Sequence, residues 1–500
     1  MKLGLLAQPR YALWGFALFL AVNATAVWGG VFPFLPGEFQ IKAVTVSFFV
    51  AQTVACVLSY ALAVLGAYLW PRQTSTALRL LGFACMLAGS CVLISAMYVR
   101  VWALWLVTGS GVLLGMGSTG MILLWQQVLA GQETERACML SVAGTGLSAL
   151  IYFVLCLCPL SVTAFLMPLV FLPLCGTALA LGLRDIDRRP SPDVPREHPR
   201  IYLGIMRDYW RSGLTVGAIG FVTGMLRAIA IESAEVGQII NAASMAGALA
   251  SSLALIVLWR HFSFRFSTSS ALYVVFVPLV CGLTLLPLLG TQYLDAFAAL
   301  AYMLFSFSQM TLMVQCLQAA RNRGVDIIFV YGLCGGMAVT LQCLGLITGW
   351  GLGLARELGT ERVSMAALMC TCVMGLALYL VWSGRCGKKY DDAAEFLSLA
   401  TAEERGGRPT VMHAPGIPAV RDRVSKQCEA IRIHYRLSAR ETEVMEHIAR
   451  GDTVPRIATE LEVSENTVRT HAKRIYAKLG IHSKQELGDL IAQFRPAEVK

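Results

Sequence analysis

Apolar positions in the first 383 residues come in long unbroken runs, whereas the last sixty-odd residues carry one apolar stripe per short helix. Crossing hydrocarbon takes about 20 mostly apolar residues, because a helix rises 1.5 Å per residue and every backbone group must bond inside its own segment. Twelve runs meet that condition, at 11–33, 43–70, 78–98, 101–129, 137–158, 162–183, 210–231, 236–259, 269–290, 293–316, 326–353 and 363–383. Arg184-Asp185-Ile186-Asp187-Arg188-Arg189-Pro190 through Arg200 is the one long polar, proline-bearing interruption before residue 384. It divides a membrane domain, 1–383, into halves 1–183 and 201–383 around a loop at 184–200.

Composition agrees: 56% hydrophobic, 14% charged and a mean hydropathy of +0.62 belong to lipid-buried protein. The net charge of +10 sits in the membrane part, since residues 391–500 hold about 17 basic and about 17 acidic residues. Loop charge sets the orientation. One alternating set of loops holds Lys2, Arg10, Arg72, Arg79, Arg136, the Arg184–Arg211 cluster, Arg260, Arg265, Arg321, Arg323, Arg385, Lys388 and Lys389. The other holds Lys42, Arg100, Arg227, Arg356 and Arg362, and a bias of roughly nineteen to five puts the first set and both termini in the cytoplasm. Twelve spans in two sixes with a charged central loop resemble the major facilitator architecture, whose halves enclose a midplane cavity. Between the second and third spans stands only Pro71-Arg72-Gln73-Thr74-Ser75-Thr76, without the Gly/Asp/Arg-rich loop usual there, and membrane carboxylates are scarce. The first departure counts against ordinary transport, and the second leaves a proton-coupled carrier without obvious relay groups.

Polar residues inside spans include Asn23, Gln52, Gln126, Gln127, Arg227, Asn241, Gln309, Gln315 and Gln342. Asn23, Gln126, Arg227 and Gln309, on the first, fourth, seventh and tenth spans, are the candidate lining of a ligand cavity. For each the alternative is a helix-to-helix hydrogen bond. Arg227 either serves that cavity or reaches the outer interface near Glu232. Gly111-x-x-x-Gly115 and Gly332-x-x-Gly335-Gly336 have helix-contact spacing. About thirteen of the 15 cysteines lie in apolar stretches as packing residues; Cys156/Cys158 and Cys370/Cys372 are the pairs that could form a thiol sensor. The N-terminus has some features of a cleaved signal, but its apolar run continues to about Phe34 and is read as an uncleaved first span. No metal spacing, phosphate loop or Ser/His/Asp set stands out, so no cofactor, metal or enzymatic activity is expected.

From 384 to 419, Gly406-Gly407-Arg408-Pro409 and Ala414-Pro415-Gly416-Ile417-Pro418 mark a flexible linker. Residues 420–435 form an amphipathic connector helix with Val420, Val424, Cys428 and Ile431 on one face, which either packs on the following domain or mediates pairing. Residues 436–500 hold four short helices, at 439–450, 454–461, 465–479 and 484–493. Their start signals are the capping boxes Ser438–Glu441 and Ser483–Glu486, Pro455 in a first turn, and Ser464 as a cap. Leu437, Val444, Ile448, Ile457, Ala458, Leu461, Val463, Val468, Ile475, Leu479, Ile481, Leu487 and Ile491 supply a small shared core. Glu462-Val463-Ser464 is the short turn of a helix-turn-helix. From Asn466 to Gly480 the third helix carries Arg469, His471, Lys473, Arg474 and Lys478 and no acid, although the tail as a whole is balanced. Helix geometry puts Arg469, Thr470 and Lys473 on one side of its N-terminal half, the part that enters a major groove, with Thr467, Arg474 and Lys478 flanking.

Leu437-Ser-Ala-Arg-Glu-Thr-Glu-Val444, Gly451, Ile457-Ala458, Leu461, Ser464-Glu-Asn-Thr-Val-Arg-Thr-His471 and Ile475-Tyr-Ala-Lys-Leu-Gly480 resemble the LuxR-type (GerE) helix-turn-helix family in register. The resemblance implies that Arg469, Thr470 and Lys473 read bases. It further implies that Thr453, Ser464, Thr467, His471, Arg474 and Lys478 meet the DNA backbone, and that Leu487, Leu490 and Ile491 on the fourth helix form a dimer contact; Gly488 weakens that helix slightly. The whole layout resembles membrane-anchored LuxR-family regulators of gut actinobacteria. The expected protein is all-α, a twelve-helix transmembrane bundle plus a four-helix LuxR-type domain, in a bacterial inner membrane. It would be a one-component regulator whose partners are double-stranded DNA, the lipid bilayer, an unknown small-molecule ligand and a second copy on DNA. The alternative is a secondary transporter with a DNA-binding regulatory tail.

Overall fold

The computed structural model describes residues 10–28, 42–96, 98–132, 134–187, 195–196, 199–230, 234–261, 265–289, 293–323, 325–354, 362–383, 396–398, 423–449, 454–461, 463–483, 486–487 and 490–491. The chain forms two compact units, a helical bundle and a second unit that contains Thr410–Lys500.

Among the described residues the bundle has twelve helical segments. In the first half they are α1 (Arg10–Val22, continued by a π-helical turn, Asn23–Trp28), α2 (Lys42–Leu69), α3 (Pro71–Ala96), α4 (Ala103–Ala130) and α5 (Thr134–Cys156). The sixth segment runs through α6 (Leu160–Leu166), a π-helical turn (Met167–Phe171) and α7 (Leu172–Asp187). The second half has α8 (Pro199–Ala230), α9 (Ala234–His261), α10 (Thr268–Leu289), α11 (Leu294–Arg323), α12 (Ile327–Leu354) and α13 (Arg362–Ser383). Among the described residues, 8 of these helices are long and apolar enough to cross a membrane, and Tyr11–Thr25, Asn241–Val257 and Val275–Leu286 are shorter apolar helices. The protein is a multi-pass membrane protein.

Helix ends differ from the hydropathy reading in a consistent way. The segment Pro71–Thr76, read as a loop, is the first turns of α3, and the basic stretch up to Arg211 lies within α8. Both helices begin at a proline, which suits a first helical position because the N–H it lacks has no intrahelical partner there. Hydropathy marks where lipid begins, whereas a helix runs on until something stops it. The central loop is accordingly shorter than 184–200, since α7 ends at Asp187 and α8 starts at Pro199.

Apolar surroundings force polar side chains to bond locally. Thr25, Ser90, Thr108, Thr215, Ser308 and Thr340 each donate to the carbonyl four residues back, at 2.7–2.8 Å. A stripe on α2, Leu58, Leu62 and Leu65, is exposed at lipid-facing spacing, and Trp70 and Trp102 stand exposed near helix ends where an indole suits the headgroup zone. In the second half, Val222, Met225, Leu279, Ala298, Tyr302 and Met374 belong to one core from α8, α10, α11 and α13.

Helix crossings rely on bare backbone. A Cβ on Gly115 of α4 would collide with the Gln52 carbonyl oxygen of α2, as the small-residue spacing led one to expect. The α8–α12 crossing is tighter on both sides: a Cβ on Gly345 would meet the Phe221 oxygen, and one on Gly224 the Gln342 oxygen. All 14 described cysteines are free. Cys370 is buried and Cys372 exposed, because residues two apart on a helix point to opposite sides.

A three-residue antiparallel pair, Arg265–Ser267 (β1) with Phe396–Ser398 (β2), forms a two-stranded sheet among the described residues. It gives regular structure to three residues of the segment read as a featureless linker.

The C-terminal domain contains α14 (Arg423–Tyr435), α15 (Ala439–Ala449), α16 (Val454–Glu460) and α17 (Glu465–Leu479), with residues 486–487 and 490–491 also helical. All thirteen core residues expected from the sequence belong to its hydrophobic cluster or pack against it. Cys428 and Ile431 of α14 are fully buried in the same cluster, so the connector helix packs on the domain. The first capping box closes reciprocally: Glu441 N–H donates to Ser438 Oγ at 3.2 Å, and Ser438 N–H to Glu441 Oε2 at 2.8 Å. In the second, Glu486 N–H donates to Ser483 Oγ at 3.1 Å, but the return bond comes from the His482 N–H at 2.9 Å. The His482 N–H and the Ser483 hydroxyl, which donates to Glu486 Oε1 at 3.0 Å, hold the Glu486 carboxyl below its ordinary range.

Gly345→Leu is expected to cost at least about 3 kcal/mol, because the obstacle is a backbone carbonyl that no rotamer change can clear. Gly351→Ala, where an added Cβ meets nothing within 4 Å, is expected to be neutral. Thermal unfolding of the detergent-extracted chain, with the fraction recovered monodisperse, measures both.

Candidate DNA-binding surface and membrane cavity

Helices α16 and α17 are joined by a turn that is itself hydrogen-bonded: Leu461 N–H donates to Ile457 O and Val463 N–H to Ala458 O, both at 2.9 Å. Ser464 has extended backbone (φ −71, ψ 151) and its hydroxyl accepts from Thr467 N–H at 3.1 Å, starting α17 where the sequence placed it. Gly480 ends it in the left-handed region, at φ 68. Val468, Ile475 and Leu479 bury one stripe of α17, which leaves Arg469, Thr470, Lys473 and Arg474 exposed on the other.

Two residues of α15 brace this unit. Arg440 donates through one terminal nitrogen to the Leu461 carbonyl at 2.5 Å and through the other to Glu443 at 2.6 Å, tying α15 to the turn. Glu441, with its side chain only 6% exposed, accepts from Lys478 Nζ at 2.7 Å and so ties α15 to α17. Burial alone would raise the Glu441 carboxyl. The Lys478 ammonium and the Ser438 N–H and hydroxyl outweigh it and hold the group below its ordinary value.

The expected DNA residues are therefore placed unequally. Arg469 pairs with Glu465 at 3.2 Å, but both side chains are largely exposed, and an exposed i,i+4 pair is worth only about 0.3–0.5 kcal/mol. Lys478 is engaged by Glu441, a partner that spacing within α17 could not reveal. Ser464 and Thr467 share a hydroxyl contact of 2.8 Å as part of the cap. His471 is half-buried, its Nδ1 without a hydrogen-bond partner among the described residues. Thr453 lies outside the described residues. Leu487 and Ile491 are buried in the domain's own core, and Leu490 is the member of the expected dimer set with partial exposure. The apolar stripe of the fourth helix thus first serves its own fold.

The bundle holds a cavity of about 240 Å³ lined from both halves. Asn23, Arg227 and Gln309 line it together, joined by Ser118, Asn241, Tyr302, Tyr331 and Gln342. Gln126 does not: it is fully buried, with both amide atoms lacking a hydrogen-bond partner among the described residues. It shares the face of α4 that carries Thr119 and Ile122, but lies two turns beyond Thr119, past the cavity floor. Asn23 opens the first π-helical turn and its Oδ1 accepts from Ser118 Oγ at 2.6 Å; Thr25 of the same turn contacts Met167, which opens the second. Such turns add a residue to the helical circuit and re-aim side chains, often at functional sites.

Arg227, half-buried near the end of α8, points into the cavity. Its Nε donates to the Tyr302 hydroxyl at 3.2 Å and a terminal nitrogen donates to Asn241 Oδ1 at 3.0 Å. The guanidinium carbon stands 5.1 Å from the Phe49 ring centroid and 5.8 Å from that of Tyr302. Glu232, the alternative neighbour, lies outside the described residues. Tyr302 and Tyr331 escaped the sequence reading because a tyrosine in an apolar span looks like any aromatic. Asn241 and Gln342 were visible as polar residues, without a sign that they share one space.

The model of bacterial regulatory proteins of the luxR family matches residues 435–491. The probable transcriptional regulatory protein NarL of Mycobacterium tuberculosis (strain ATCC 25618 / H37Rv) is 52% identical over 48 residues, 10% of this chain and 22% of that protein. The chain thus spans about a fifth of the length of that relative. A bacterial homologue of the iron transporter ferroportin, in the outward-facing state with soaked iron, is similar over 77% of this chain and 100% of its own, at 16% identity and a TM-score of 0.54. The major facilitator superfamily transporter FucP, in the outward conformation, is similar over 75% of this chain and 99% of its own, at 11% identity and a TM-score of 0.47. Residues 435–491 are a LuxR-type helix-turn-helix DNA-binding domain, and the bundle that precedes it shares the fold of the bacterial ferroportin homologue.

Glu441→Ala is expected to lower the domain's unfolding free energy by about 1–3 kcal/mol, since it removes a cap bond and leaves Lys478 without its partner. The carboxyl is lowered in the folded state, so its contribution is present above the ordinary glutamate range. It is lost as pH falls through the lowered folded value. Urea unfolding of wild type and variant between neutral and acid pH should show their difference shrinking on the acid side.

Proposed function

We propose that the chain is a membrane-bound one-component transcription regulator. A small ligand in the bundle cavity shifts the bundle between two conformations, and the shift changes how the LuxR-type domain engages double-stranded DNA. The observation that carries this reading is the cavity, lined by Asn23, Arg227 and Gln309 from both halves of a transporter fold, on the same chain as a DNA-binding domain. A ligand moves such an equilibrium only through its differential affinity for the two states, and a tenfold preference is worth about 1.4 kcal/mol. The excess of Lys and Arg in one set of loops supports a bacterial cytoplasmic membrane with both termini in the cytoplasm, where the DNA is.

On DNA, α17 enters the major groove. Arg469, Thr470 and Lys473 read base edges, and Thr453, Ser464, Thr467, His471 and Arg474 lie along the phosphates. Lys478 reaches phosphate while Glu441 anchors it. A homodimer forms around the fourth helix, with Leu490 as its most available apolar residue. Both likenesses, to a regulator and to transporters, point away from an enzyme.

A second reading, a secondary transporter with a DNA-binding regulatory tail, is favoured by the same cavity, because lining by both halves suits alternating access. Proteoliposomes bearing the purified chain separate the two. Under the sensor reading, compounds that change operator occupancy are not accumulated against a gradient; accumulation would make the chain a transporter. For the DNA surface, Arg469→Ala or Lys473→Ala is expected to cost about 1–3 kcal/mol at the cognate operator and to relax base preference, by electrophoretic mobility shift at fixed salt. Unchanged affinity in both variants would refute the assignment of α17.

A further inference from the structure

The Gly332-x-x-Gly335-Gly336 spacing shapes a second space in the bundle. A Cβ on Gly336 would stand 3.0 Å from Tyr60 Cβ, and one on Gly332 would stand 2.9 Å from Val64 Cγ2. Helix α12 of the second half thus meets α2 of the first half across bare backbone. Beside this crossing lies a groove of about 640 Å³ walled by α2, α8 and α12. Its lining is apolar apart from the hydroxyls of three tyrosines and Thr340. Leu65 and Leu203 of that lining are more than half exposed, so the groove opens sideways rather than into the bundle. Tyr60 lines both the groove and the central cavity, as part of the wall between them.

Length and polarity both fit one leaflet of a bilayer. The lining runs from Val57 to Tyr68 on α2 and from Phe329 to Thr340 on α12, eleven residues each. That is about 16 Å of helix, against about 15 Å for half of a hydrocarbon core of about 30 Å. At one end the Phe329 ring stands edge-on to Tyr202, with centroids 5.1 Å apart, and 6.3 Å from Tyr68. The Tyr202 hydroxyl accepts from the Asp326 N–H at 3.2 Å, and amphipathic rings of this kind suit the headgroup zone. At the far end Thr340 turns its hydroxyl back to the Gly336 carbonyl, which leaves that end apolar. The chain around the tyrosine end, 66–76, 199–211 and 326–330, holds four arginines and two aspartates. Arg72, in the first turn of α3, and Arg207, next in sequence to the groove residue Met206, are exposed. Asp208 is half-buried, and Asp326 is buried with its carboxylate accepting from the Ile328 N–H at 3.0 Å. A slot of leaflet depth with a cationic mouth complements an anionic amphiphile, whereas a soluble anion has no use for the apolar length.

We infer that the groove between α2, α8 and α12 binds an anionic phospholipid of the cytoplasmic leaflet. One acyl chain lies along the glycine crossing, and the phosphate sits among the arginines of the tyrosine end, of which Arg72 and Arg207 are the exposed ones. The leaflet follows from the loop charges, since the loops at that end belong to the set rich in Lys and Arg. The site is distinct from the central cavity and stands whether or not that cavity takes a ligand. Because α2 belongs to one half and α8 and α12 to the other, a seated lipid bridges the halves.

The test exposes the purified full-length chain in detergent to equal amounts of phosphatidylglycerol and phosphatidylcholine with the same acyl chains. Native mass spectrometry then reads the retained lipid. One phosphatidylglycerol per chain is expected to persist, preferred over phosphatidylcholine by about fivefold for each arginine engaged. Arg72→Gln and Arg207→Gln should each lower that preference by about fivefold, and the double variant should abolish it. Ala61→Phe, at an exposed position within the groove, should remove both lipids. Leu58→Phe, exposed on the same helix but outside the groove lining, should leave them in place. Equal thermal unfolding midpoints for these two variants in lipid-free detergent show that the loss is not misfolding. Equal retention of the two lipids by the wild-type chain, or phosphatidylglycerol retention that ignores the double arginine variant or Ala61→Phe, would overturn the assignment. So would glycerol phosphate competing as well as the whole lipid, since the apolar length would then contribute nothing.

Discussion

A polypeptide inside hydrocarbon has no water to satisfy its backbone, and that constraint governs everything this molecule does over its first 383 residues. It makes each crossing segment a helix. It also turns hydroxyls such as those of Thr25, Ser90 and Thr340 back onto the carbonyls of their own turn. Against that background the polar groups that do not bond back locally stand out. Arg227, Asn241, Gln309 and Tyr331 bond to side chains of other segments, and they surround one cavity. The cavity is therefore where the bundle keeps its unspent polarity, and tight glycine crossings such as Gly224 and Gly345 against facing carbonyls keep its walls in place.

The C-terminal domain solves a different problem with water on every side. Its small core settles the packing of α14 to α17, and two neighbours on α15 then fix α17. Arg440 holds the turn that precedes α17, and Glu441 holds its last turn through Lys478 while also capping α15. Ser438-Ala-Arg-Glu441 is thus a helix start and a pair of braces at once. The domain presents Arg469, Thr470 and Lys473 on a helix fastened at both ends, which favours recognition because little order remains to be created on binding.

Twelve apolar runs, their division into six and six, the capping boxes and the thirteen-residue core of the last domain were all legible in the sequence. Each rests on local periodicity or on one residue's own chemistry, which neighbours along the chain are enough to set. Helix ends were less legible, since Pro71 and Pro199 begin helices well before hydropathy rises. The tertiary structure alone decided that Asn23, Arg227 and Gln309 share a cavity while Gln126 sits past its floor, that Lys478 belongs to Glu441, and that Leu487 and Ile491 are buried within their own domain. Those facts depend on which helix faces which and at what height. Contacts between segments a hundred or more residues apart set that geometry, and spacing along a single helix carries no record of it.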